Sequence, residues 1–366
     1  MRKIGKEEIE NMAMGAALLG TGGGGDPYIG KLMALQAVEE YGPVEVLTVD
    51  EIGDEDMIVP SAMMGAPTVM VEKTPGGDES IAAFRELGNY LGKEIKATMP
   101  MEAGGVNSML PLALAARLGI PVIDVDGMGQ AFPELQMTTF YLNGKSATPM
   151  VIGDEKGNSS LLNTIDNKWT ERIARSVTID MGGSAMVAIY PMQGKDLKAY
   201  GVHNPLSLAE NIGKAIRYAK DEGEKPIEKV LEITGGFELF GGKVVDVNRK
   251  TQSGFARGTA TVEGLFTYKG TTLQLHFQNE HLLAQTDRDV LCVAPDLIAV
   301  LDAETGVPIT TEGLRYGARC IVIGIPCDEK WRTEKGIETC GPGYFGYDVD
   351  YTPVENLVGK GANNHE

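Results

Sequence analysis

The 366-residue sequence is poor in cysteine, and its cysteines are not spaced like those of a metal or disulfide site. All of them lie in the last quarter of the chain, and none forms a C-x-x-C pair. Disulfide frameworks and zinc knuckles depend on regularly spaced cysteines. We therefore expect reduced, structural thiols at Cys292, Cys320, Cys327 and Cys340.

Long apolar runs and a leader-like N-terminus are also missing. The most apolar stretch, Leu291–Leu301, is interrupted by Pro295 and Asp296, whereas a membrane-spanning helix needs about 20 apolar residues. The first residues, MRKIGKEE, contain no apolar core, which a secretory signal requires. These absences predict a soluble, cytoplasmic protein.

Basic side chains are few as well. Lysine and arginine number 33 against 51 aspartates and glutamates, which gives a formal net charge of −18 at pH 7. Such a charge repels nucleic-acid backbones and anionic lipid surfaces. The sequence therefore argues against nucleic-acid and membrane-surface partners.

Motifs of two common hydrolase classes are absent. The chain has no G-x-S-x-G elbow and no H-E-x-x-H sequence, which argues against triad hydrolases and zincins. His276 and His281 are five residues apart, on a predicted strand and at its end, and should therefore lie on opposite faces. His203 and His365 have no suitable neighbours, so a histidine zinc site is not favoured.

Glycine, in contrast, is abundant, with 47 of 366 residues, about 13% compared with about 7% in an average protein. Gly20–Pro27 matches G-x-G-x-x-G, and Gly25, Gly30 and Lys31 match the spacing of a phosphate-binding loop. Both motifs normally follow a strand, but here a predicted helix comes first. We expect a ligand-binding loop whose amides, at Gly22–Gly25, contact an anion; the alternative is a simple turn between helices.

Hydrophobic periodicity predicts an α/β arrangement in the first half of the chain. The expected helices are Lys6–Leu19, Tyr28–Tyr41, Asp78–Leu91 and Ser108–Leu118, and the expected strands are Val44–Val49, Met57–Met63, Ile95–Met99 and Val122–Val125.

The pattern changes in the second half. A helix is expected at Asn167–Asp180, a second from a Ser207/Glu210 capping box to Glu222, and a third from Pro226 to Gly235. Short β-branched segments then follow between Phe237 and Ile325. They are Lys243–Val247, Thr259–Leu265, Thr272–Phe277, Val290–Val293, Ile298–Leu301 and Cys320–Ile325. We predict an α/β N-terminal domain with a mixed or parallel sheet and flanking helices (residues 1–165), a β-rich C-terminal domain with a helical lead-in (166–358) and a flexible tail (359–366).

Polar side chains follow two of the predicted strands. Glu102 and Asn107 come after the strand ending at Met99, and Asp124 and Asp126 share one face of the next strand. Ligands of α/β sheets bind at this edge, so Glu102, Asp124 and Asp126 are candidate catalytic residues, with Glu134 nearby. Such carboxylates either bind a cation or have pKa values pushed apart for acid–base chemistry. The structural alternatives are turn capping by Asp126, hydrogen bonding of Asp124 to the backbone and helix capping by Asn107.

Motifs distributed along the chain resemble those of the S-methyl thiohydantoin desulfurase family. They are Gly20–Tyr28, Met101–Asn107, Asp124–Leu135, Gly254–Gly258, Phe277–Glu280, Pro295–Ile298 and Phe345–Asp348. The resemblance spans about residues 5–355 and implies two domains. It also implies hydrolysis at C2 of a five-membered thiohydantoin ring with a propionate arm, releasing methanethiol, while relatives act on other cyclic amides.

This resemblance, with the residue patterns, defines a candidate site. Glu102, Asp124 and Asp126 would serve as acid and base, or would hold an unidentified divalent metal that activates water. Gln130 stands where arginine is common in the family, which would change the acceptance of a substrate carboxylate. The candidate substrate-binding residues are Gly22, Gly23, Gly24, Gly25, Asp26, Asn107, Gln130, Arg257, Asn279 and Glu280.

Two other functions remain open at this point. The chain could be a non-catalytic subunit beside a hydantoinase- or oxoprolinase-type partner, or a nucleotide-binding transferase that uses Gly25–Lys31. A homo-oligomer is expected because most oligomers of soluble proteins are built from identical chains.

Overall fold

The computed structural model of the chain describes residues 1–65, 69, 73, 75–219, 221–252 and 254–362. The first half alternates helices and strands. The helices are α1 (Lys6–Leu19), α2 (Tyr28–Tyr41), α3 (Asp78–Leu91), α4 (Leu110–Leu118), α5 (Thr139–Leu142) and α6 (Asn167–Asp180). The strands are β1 (Arg2–Ile4), β2 (Val44–Leu47), β3 (Met57–Gly65), β4 (Ala97–Pro100), β5 (Val122–Ile123), β6 (Val125–Asp126), β7 (Met150–Gly153) and β8 (Ser159–Leu162).

The second half begins with short elements and ends in β structure. Its helices are α7 (Gly194–Tyr200), α8 (Pro205–Tyr218), α9 (Pro226–Thr234), α10 (Glu334–Cys340) and α11 (Val354–Ala362). Its strands are β9 (Ser184–Ala188), β10 (Met192–Gln193), β11 (Val202–His203), β12 (Phe237–Gln252), β13 (Phe255–Gly264), β14 (Thr272–Gln278), β15 (Glu280–Thr286), β16 (Val290–Val293), β17 (Leu297–Asp302) and β18 (Arg319–Ile325).

The N-terminal domain contains a mixed sheet with helices against it, as predicted. Strands β2, β5, β4 and β3 are parallel neighbours. The sheet continues from β3 through the antiparallel strands β9, β7 and β8, and β1 closes the other edge. Apolar side chains of α3 and α4, such as Phe84, Leu87 and Leu114, pack against Val59 of β3. Burial of these side chains holds the helices on the sheet.

The C-terminal domain is built on an antiparallel sheet, as the β-rich pattern predicted. Its strand order is β16-β15-β14-β13-β12-β18-β17. The 16-residue strand β12 pairs with both β13 and β18, and register shifts on each side bend it. Strand β15 was not predicted, because its sequence EHLLAQT shows little alternation of polar and apolar residues.

The expected start of the helix near residue 207 is wrong. Helix α8 begins at Pro205, and its first turn is not closed by a capping box. Instead, Asp124 accepts hydrogen bonds from the backbone N–H groups of Leu206 and Ser207 and from the Ser207 hydroxyl. Glu210 forms an ion pair with Arg2. A cap from a distant strand therefore replaces the local cap that the sequence suggested.

Three further predictions concern the state of the cysteines, the domain boundary and tail, and the absence of a membrane-spanning helix. All four cysteines are buried and unpaired, as expected. Strands β9 and β10 belong to the first sheet although they follow residue 165, and that domain boundary stays a prediction. Helix α11 covers the first residues of the predicted tail, while residues 363–366 lie outside the described residues. No described helix is both long and apolar enough to cross a membrane.

Candidate functional site

A cleft lies where the carboxyl ends of β3 and β4 meet the C-terminal domain. It encloses about 690 Å³ of space, counted with its open mouth. Met63, Met64 and Gly65 at the end of β3 line one side, and Met101 and Glu102 follow β4. The opposite wall contains Asn279 and Glu280 of the C-terminal domain. The cleft thus occurs at the sheet edge where ligands of α/β proteins bind.

The glycine-rich loop forms the junction between the two walls. A Cβ atom on Gly23 would lie 2.1 Å from the Asn279 carbonyl carbon and the Glu280 nitrogen. The Thr21 carbonyl accepts a hydrogen bond from the His281 N–H, and the Gly24 carbonyl accepts one from Val106. Because three backbone segments cross here, a side chain on Gly23 would separate them.

The amides of this loop are less available to a ligand than the sequence suggested. The N–H groups of Gly23 and Gly24 both donate to the Gly20 carbonyl. Asp26 lies beyond the cleft and accepts a hydrogen bond from the Tyr28 N–H at the start of α2. Helix α1 precedes the loop, so neither nucleotide motif has the strand that it needs. Of the predicted loop residues, only Gly23 and Gly24 line the cleft.

Glu102 is the catalytic candidate that lies in the cleft. Its side-chain Oε1 accepts a 2.7 Å hydrogen bond from Asn107 Nδ2. Asn107 does not cap a helix: its Oδ1 accepts a hydrogen bond from the Met63 N–H at 2.8 Å, which ties the loop to the end of β3. Burial raises the pKa of Glu102 to about 7. Hydrogen bonds from Asn107 and the Phe132 backbone stabilise the carboxylate and lower the pKa, but burial has the larger effect. Glu102 is therefore poised to gain or lose a proton near neutral pH.

Glu280 faces the same cleft from the other domain. It begins β15 after Asn279, whose positive φ of 58° makes the tight turn from β14. The Glu280 side chain is buried, and its Oε2 has no hydrogen-bond partner within the described protein. Burial and the nearby carboxyl of Glu102 raise the pKa of Glu280 well above its usual value. Two buried carboxyl groups, each with a raised pKa, thus share one cleft.

Asp124 and Asp126 are not part of the cleft lining. Asp124 caps α8, as described above. Asp126 accepts hydrogen bonds from the backbone N–H groups of Ala103, Met128 and Gly129. Both carboxylates thus accept backbone hydrogen bonds, which is the structural alternative that the sequence left open, and Asp126 fixes the peptide that follows Glu102.

Of the other predicted binding residues, some line the cleft and some do not. Asn279 lines the cleft, and its Oδ1 accepts a 2.8 Å hydrogen bond from the Ala256 N–H. Gln130 lies outside the lining and donates to the Pro295 carbonyl at 2.8 Å, joining the two domains. Arg257 is exposed on β13 and does not line the cleft.

Helix α6 contributes two cleft residues that the sequence did not reveal, Glu171 and Arg175. The Arg175 side chain forms an ion pair with Glu171 and lies with its guanidinium 4.1 Å from the Phe255 ring centre. Their i, i+4 spacing predicts a helical ion pair, but nothing local indicates that the pair faces a ligand. Glu134, which the sequence did suggest, is at the rim and accepts a hydrogen bond from the Tyr344 hydroxyl.

Across the part of the chain that the structure describes, no set of three or more His, Cys, Asp or Glu side chains has an arrangement that could hold a metal. His276 contacts Gln285 and Tyr347, while His281 is buried beside Phe277. Neither histidine lines the cleft.

Comparisons with known proteins agree with this architecture. The chain has the fold of a protein from Chromobacterium violaceum whose X-ray crystal structure was determined by a structural genomics consortium, with a TM-score of 0.80 and 23% sequence identity over 97% of this chain and 100% of that chain. No curated protein sequence matches the chain. Residues 7–164 match the model of the S-Me-THD-like N-terminal domain, and residues 165–354 match that of the S-Me-THD-like C-terminal domain. The chain therefore belongs to the S-Me-THD-like family.

Proposed function

We propose that the protein is a hydrolase of a small five-membered cyclic amide or thiohydantoin, with its reaction centre between Glu102 and Glu280. The observation that carries this proposal is the pair of buried carboxyl groups that face one cleft from the two domains, in different hydrogen-bond environments and both with a raised pKa. Unequal environments of two carboxyls are a common way to provide a base and an acid at the same pH. Family membership supports the choice of ring.

Each carboxyl group has a role in this mechanism. Glu102, with a pKa of about 7, is ionised in a large fraction of molecules at neutral pH and removes a proton from water. Glu280, whose pKa is raised well above the usual range, stays protonated and donates to the departing group or to a ring nitrogen. Asn107 holds Glu102 in place through a hydrogen bond and is a positioning residue.

The reaction is balanced with water as the second substrate. For an S-methyl thiohydantoin, the water oxygen bonds to ring carbon C2 and the C2–S bond breaks. One water proton passes to Glu102 and from there to the ring nitrogen whose double bond to C2 opens, which restores Glu102. The acid proton of Glu280 passes to the sulfur, which leaves as methanethiol. Loss of the second proton from the added oxygen restores Glu280 and leaves a ring carbonyl. For a cyclic amide, the same groups would open the ring C–N bond.

The walls of the cleft suit a flat, sulfur-bearing ring. Several methionines line the cleft, and Phe132 adds an aromatic face. Thioether side chains adapt to irregular apolar ligands and make favourable contacts with sulfur and π systems. The methionines are Met63, Met64, Met101, Met128 and Met150.

Turnover by the purified chain tests this proposal. The chain is incubated with S-methyl thiohydantoin propionate and with unsubstituted hydantoin-type rings, and free thiol and ring opening are assayed. Parallel samples contain zinc, manganese or magnesium, which tests the alternative in which carboxylates hold a metal. Turnover that is lost in Glu102→Gln supports the proposal. No turnover of any ring, with or without metal, would overturn it and favour a non-catalytic subunit.

A further inference from the structure

Three side chains of the described cleft lining carry N–H groups, and two of them are already bound to the protein. Asn107 donates through Nδ2 to Glu102. Arg175 forms an ion pair with Glu171, and its Nη1 and Nη2 contact backbone carbonyl oxygens at 3.5 Å and 3.3 Å. The third side chain is that of Asn279, which lies between β14 and β15. Asn279 therefore is the place in this lining to look for a donor to a ligand.

The orientation of the Asn279 amide is fixed by its partner. The N–H of Ala256 donates to one end of this side chain at 2.8 Å. Only the oxygen of an amide accepts a hydrogen bond, so this end is Oδ1 and the other end is Nδ2. Nδ2 has no bond to a described residue, and it is not closed off from the open space of the cleft. The residue is only 5% exposed, so its two N–H groups gain an acceptor when a ligand fills the cleft.

The backbone of Asn279 is held on several sides. Its N–H donates to the Ala256 carbonyl at 2.7 Å. Its carbonyl and that of Gly22 share the Thr311 hydroxyl as donor, at 3.0 Å and 2.8 Å. A Cβ atom on Gly23 would lie 2.4 Å from the Asn279 carbonyl oxygen, so the glycine-rich loop packs directly on this peptide. The loop thus fixes the position of the amide before a ligand binds.

A fixed donor is useful where negative charge develops during a reaction. When water attacks C2 of an S-methyl thiohydantoin, one electron pair of the C2–N double bond moves to the ring nitrogen. Where that nitrogen is bonded to a ring carbonyl, the charge spreads onto the carbonyl oxygen. For a cyclic amide, attack on the carbonyl carbon places the charge on its oxygen directly. In both reactions a ring oxygen needs a hydrogen-bond donor.

We propose that Asn279 Nδ2 donates a hydrogen bond to a ring carbonyl oxygen of the substrate, which makes Asn279 a catalytic residue and selects rings that carry such a carbonyl. This inference rests on the proposed function for the ring itself. Glu102 and Glu280 keep the roles given above, because Asn279 acts on a different atom of the ring. A ring without the carbonyl leaves a buried donor without an acceptor and is rejected for that reason.

Two matched rings test the donor by binding alone. Hydantoin-5-propionate and the 2-imidazolidinone that carries the same arm differ in one carbonyl group, which only the hydantoin has at C4. Both rings are neutral at pH 7. Calorimetric titration of the intact chain should give about tenfold tighter binding of the hydantoin. Equal affinity for the two rings would overturn the inference.

The variant Asn279→Asp removes the donor and keeps the acceptor. An aspartate still accepts the hydrogen bond from the Ala256 N–H and tolerates the positive φ of 58° at this position, but it offers no N–H to the ring. The preference for the hydantoin should fall below twofold. With S-methyl thiohydantoin propionate, kcat should fall about a hundredfold, which is more than KM rises, because the charge on oxygen is largest in the transition state.

Two further variants support this measurement. Asn248→Asp makes the same chemical change at an exposed position of β12 outside the cleft and should alter neither the preference nor kcat. Asn279→Gly is used if the aspartate variant does not fold, since glycine adopts a positive φ without strain and also lacks the donor. A glycine variant that keeps the tenfold preference, or equal effects of Asn279→Asp and Asn248→Asp, would contradict the role of this amide.

The outcomes for the two proposals are distinguishable. If the preference for the hydantoin is lost in Asn279→Asp but the wild-type chain turns over no ring, the proposed hydrolysis is wrong and the donor stands as a binding group. If rings are hydrolysed and Asn279→Asp keeps both the preference and the rate, the donor is wrong and the hydrolysis stands. If neither ring binds and none is turned over, both proposals are overturned.

Discussion

The loop after β4 and the strand end at β6 both bury a carboxyl group, but the two groups have different surroundings. Asp126, at the strand end, accepts three backbone N–H groups and does not line the cleft. Glu102, in the loop, accepts a side-chain hydrogen bond from Asn107 and faces the cleft. Burial raises the pKa of both, to about 8 for Asp126 and about 7 for Glu102.

The comparison shows that a perturbed pKa alone does not identify a catalytic carboxyl group. Backbone donors surround Asp126, so its oxygens are occupied in holding the turn. A functional carboxyl also needs open space beside it for a substrate. Glu102 has that space. Asp126 helps to fix the position of Glu102, because it accepts a hydrogen bond from the N–H of Ala103, the next residue in the chain.

Substitution of Glu102 should have the largest effect. Glu102→Gln removes the proposed base, and kcat/KM should fall by about 10²- to 10⁴-fold. The fold should persist, since the neutral amide is cheaper to bury than a carboxylate. Kinetics and thermal melting of the purified variant measure both effects. Retention of full activity would show that the base is elsewhere.

The pH dependence of the wild-type enzyme should reflect the same group. The pKa of Glu102 is raised to about 7, so kcat/KM should rise nearly tenfold per pH unit below 7 and level off above it. At higher pH, loss of the Glu280 proton should reduce the rate again. A rate that is flat between pH 5 and pH 8 would contradict this assignment.

Substitution of Asp126 should instead act mainly on stability. In Asp126→Asn the amide nitrogen faces at least one of the backbone donors, and the free energy of unfolding should fall by about 2 kcal/mol. Because Ala103 also shifts, a smaller loss of kcat should accompany it. Urea unfolding and kinetics on the folded fraction separate the two. A loss of activity equal to that of Glu102→Gln, without loss of stability, would remove the distinction between these residues.

Substitution of Asp124 should have the smallest effect on activity and stability, and it serves as the control. Asp124→Ala removes the cap of α8 and should cost about 1 kcal/mol, the usual value of a helix N-cap. Its activity should stay within twofold of wild type, because the residue is outside the cleft lining. Chemical denaturation and a steady-state assay check these values. A large kinetic defect in this variant would place the reaction centre at the strand end.

Much of the local structure could be predicted because it depends on nearby residues. Helices α1, α2, α3 and α6 have the bounds that their apolar periodicity indicated. Strand β15 was missed because its pairing partners, not its own pattern, define it. The start of α8 was misjudged for a similar reason, since its cap comes from Asp124, more than 80 residues earlier in the chain.

The candidate site was predictable only in part. Glu102 and Asn107 could be found because they directly follow a strand of the α/β pattern. Glu171 and Arg175 could not, because only the packing of α6 brings them to the cleft. The glycine loop was predicted to bind a ligand through its amides, which stays a prediction. The structure shows that its carbonyls and Cα atoms contact two other backbone segments.

The sequence by itself determined the α/β and β-rich halves, the low content of basic residues and the family resemblance, because these depend on composition, periodicity and motif order. Only the tertiary structure decided which carboxyl groups line the cleft. That choice depends on whether backbone N–H groups from distant segments reach the oxygens, as they do at Asp124 and Asp126. Where such donors are fewer and space remains, as at Glu102 and Glu280, the carboxyl group stays open to the cleft.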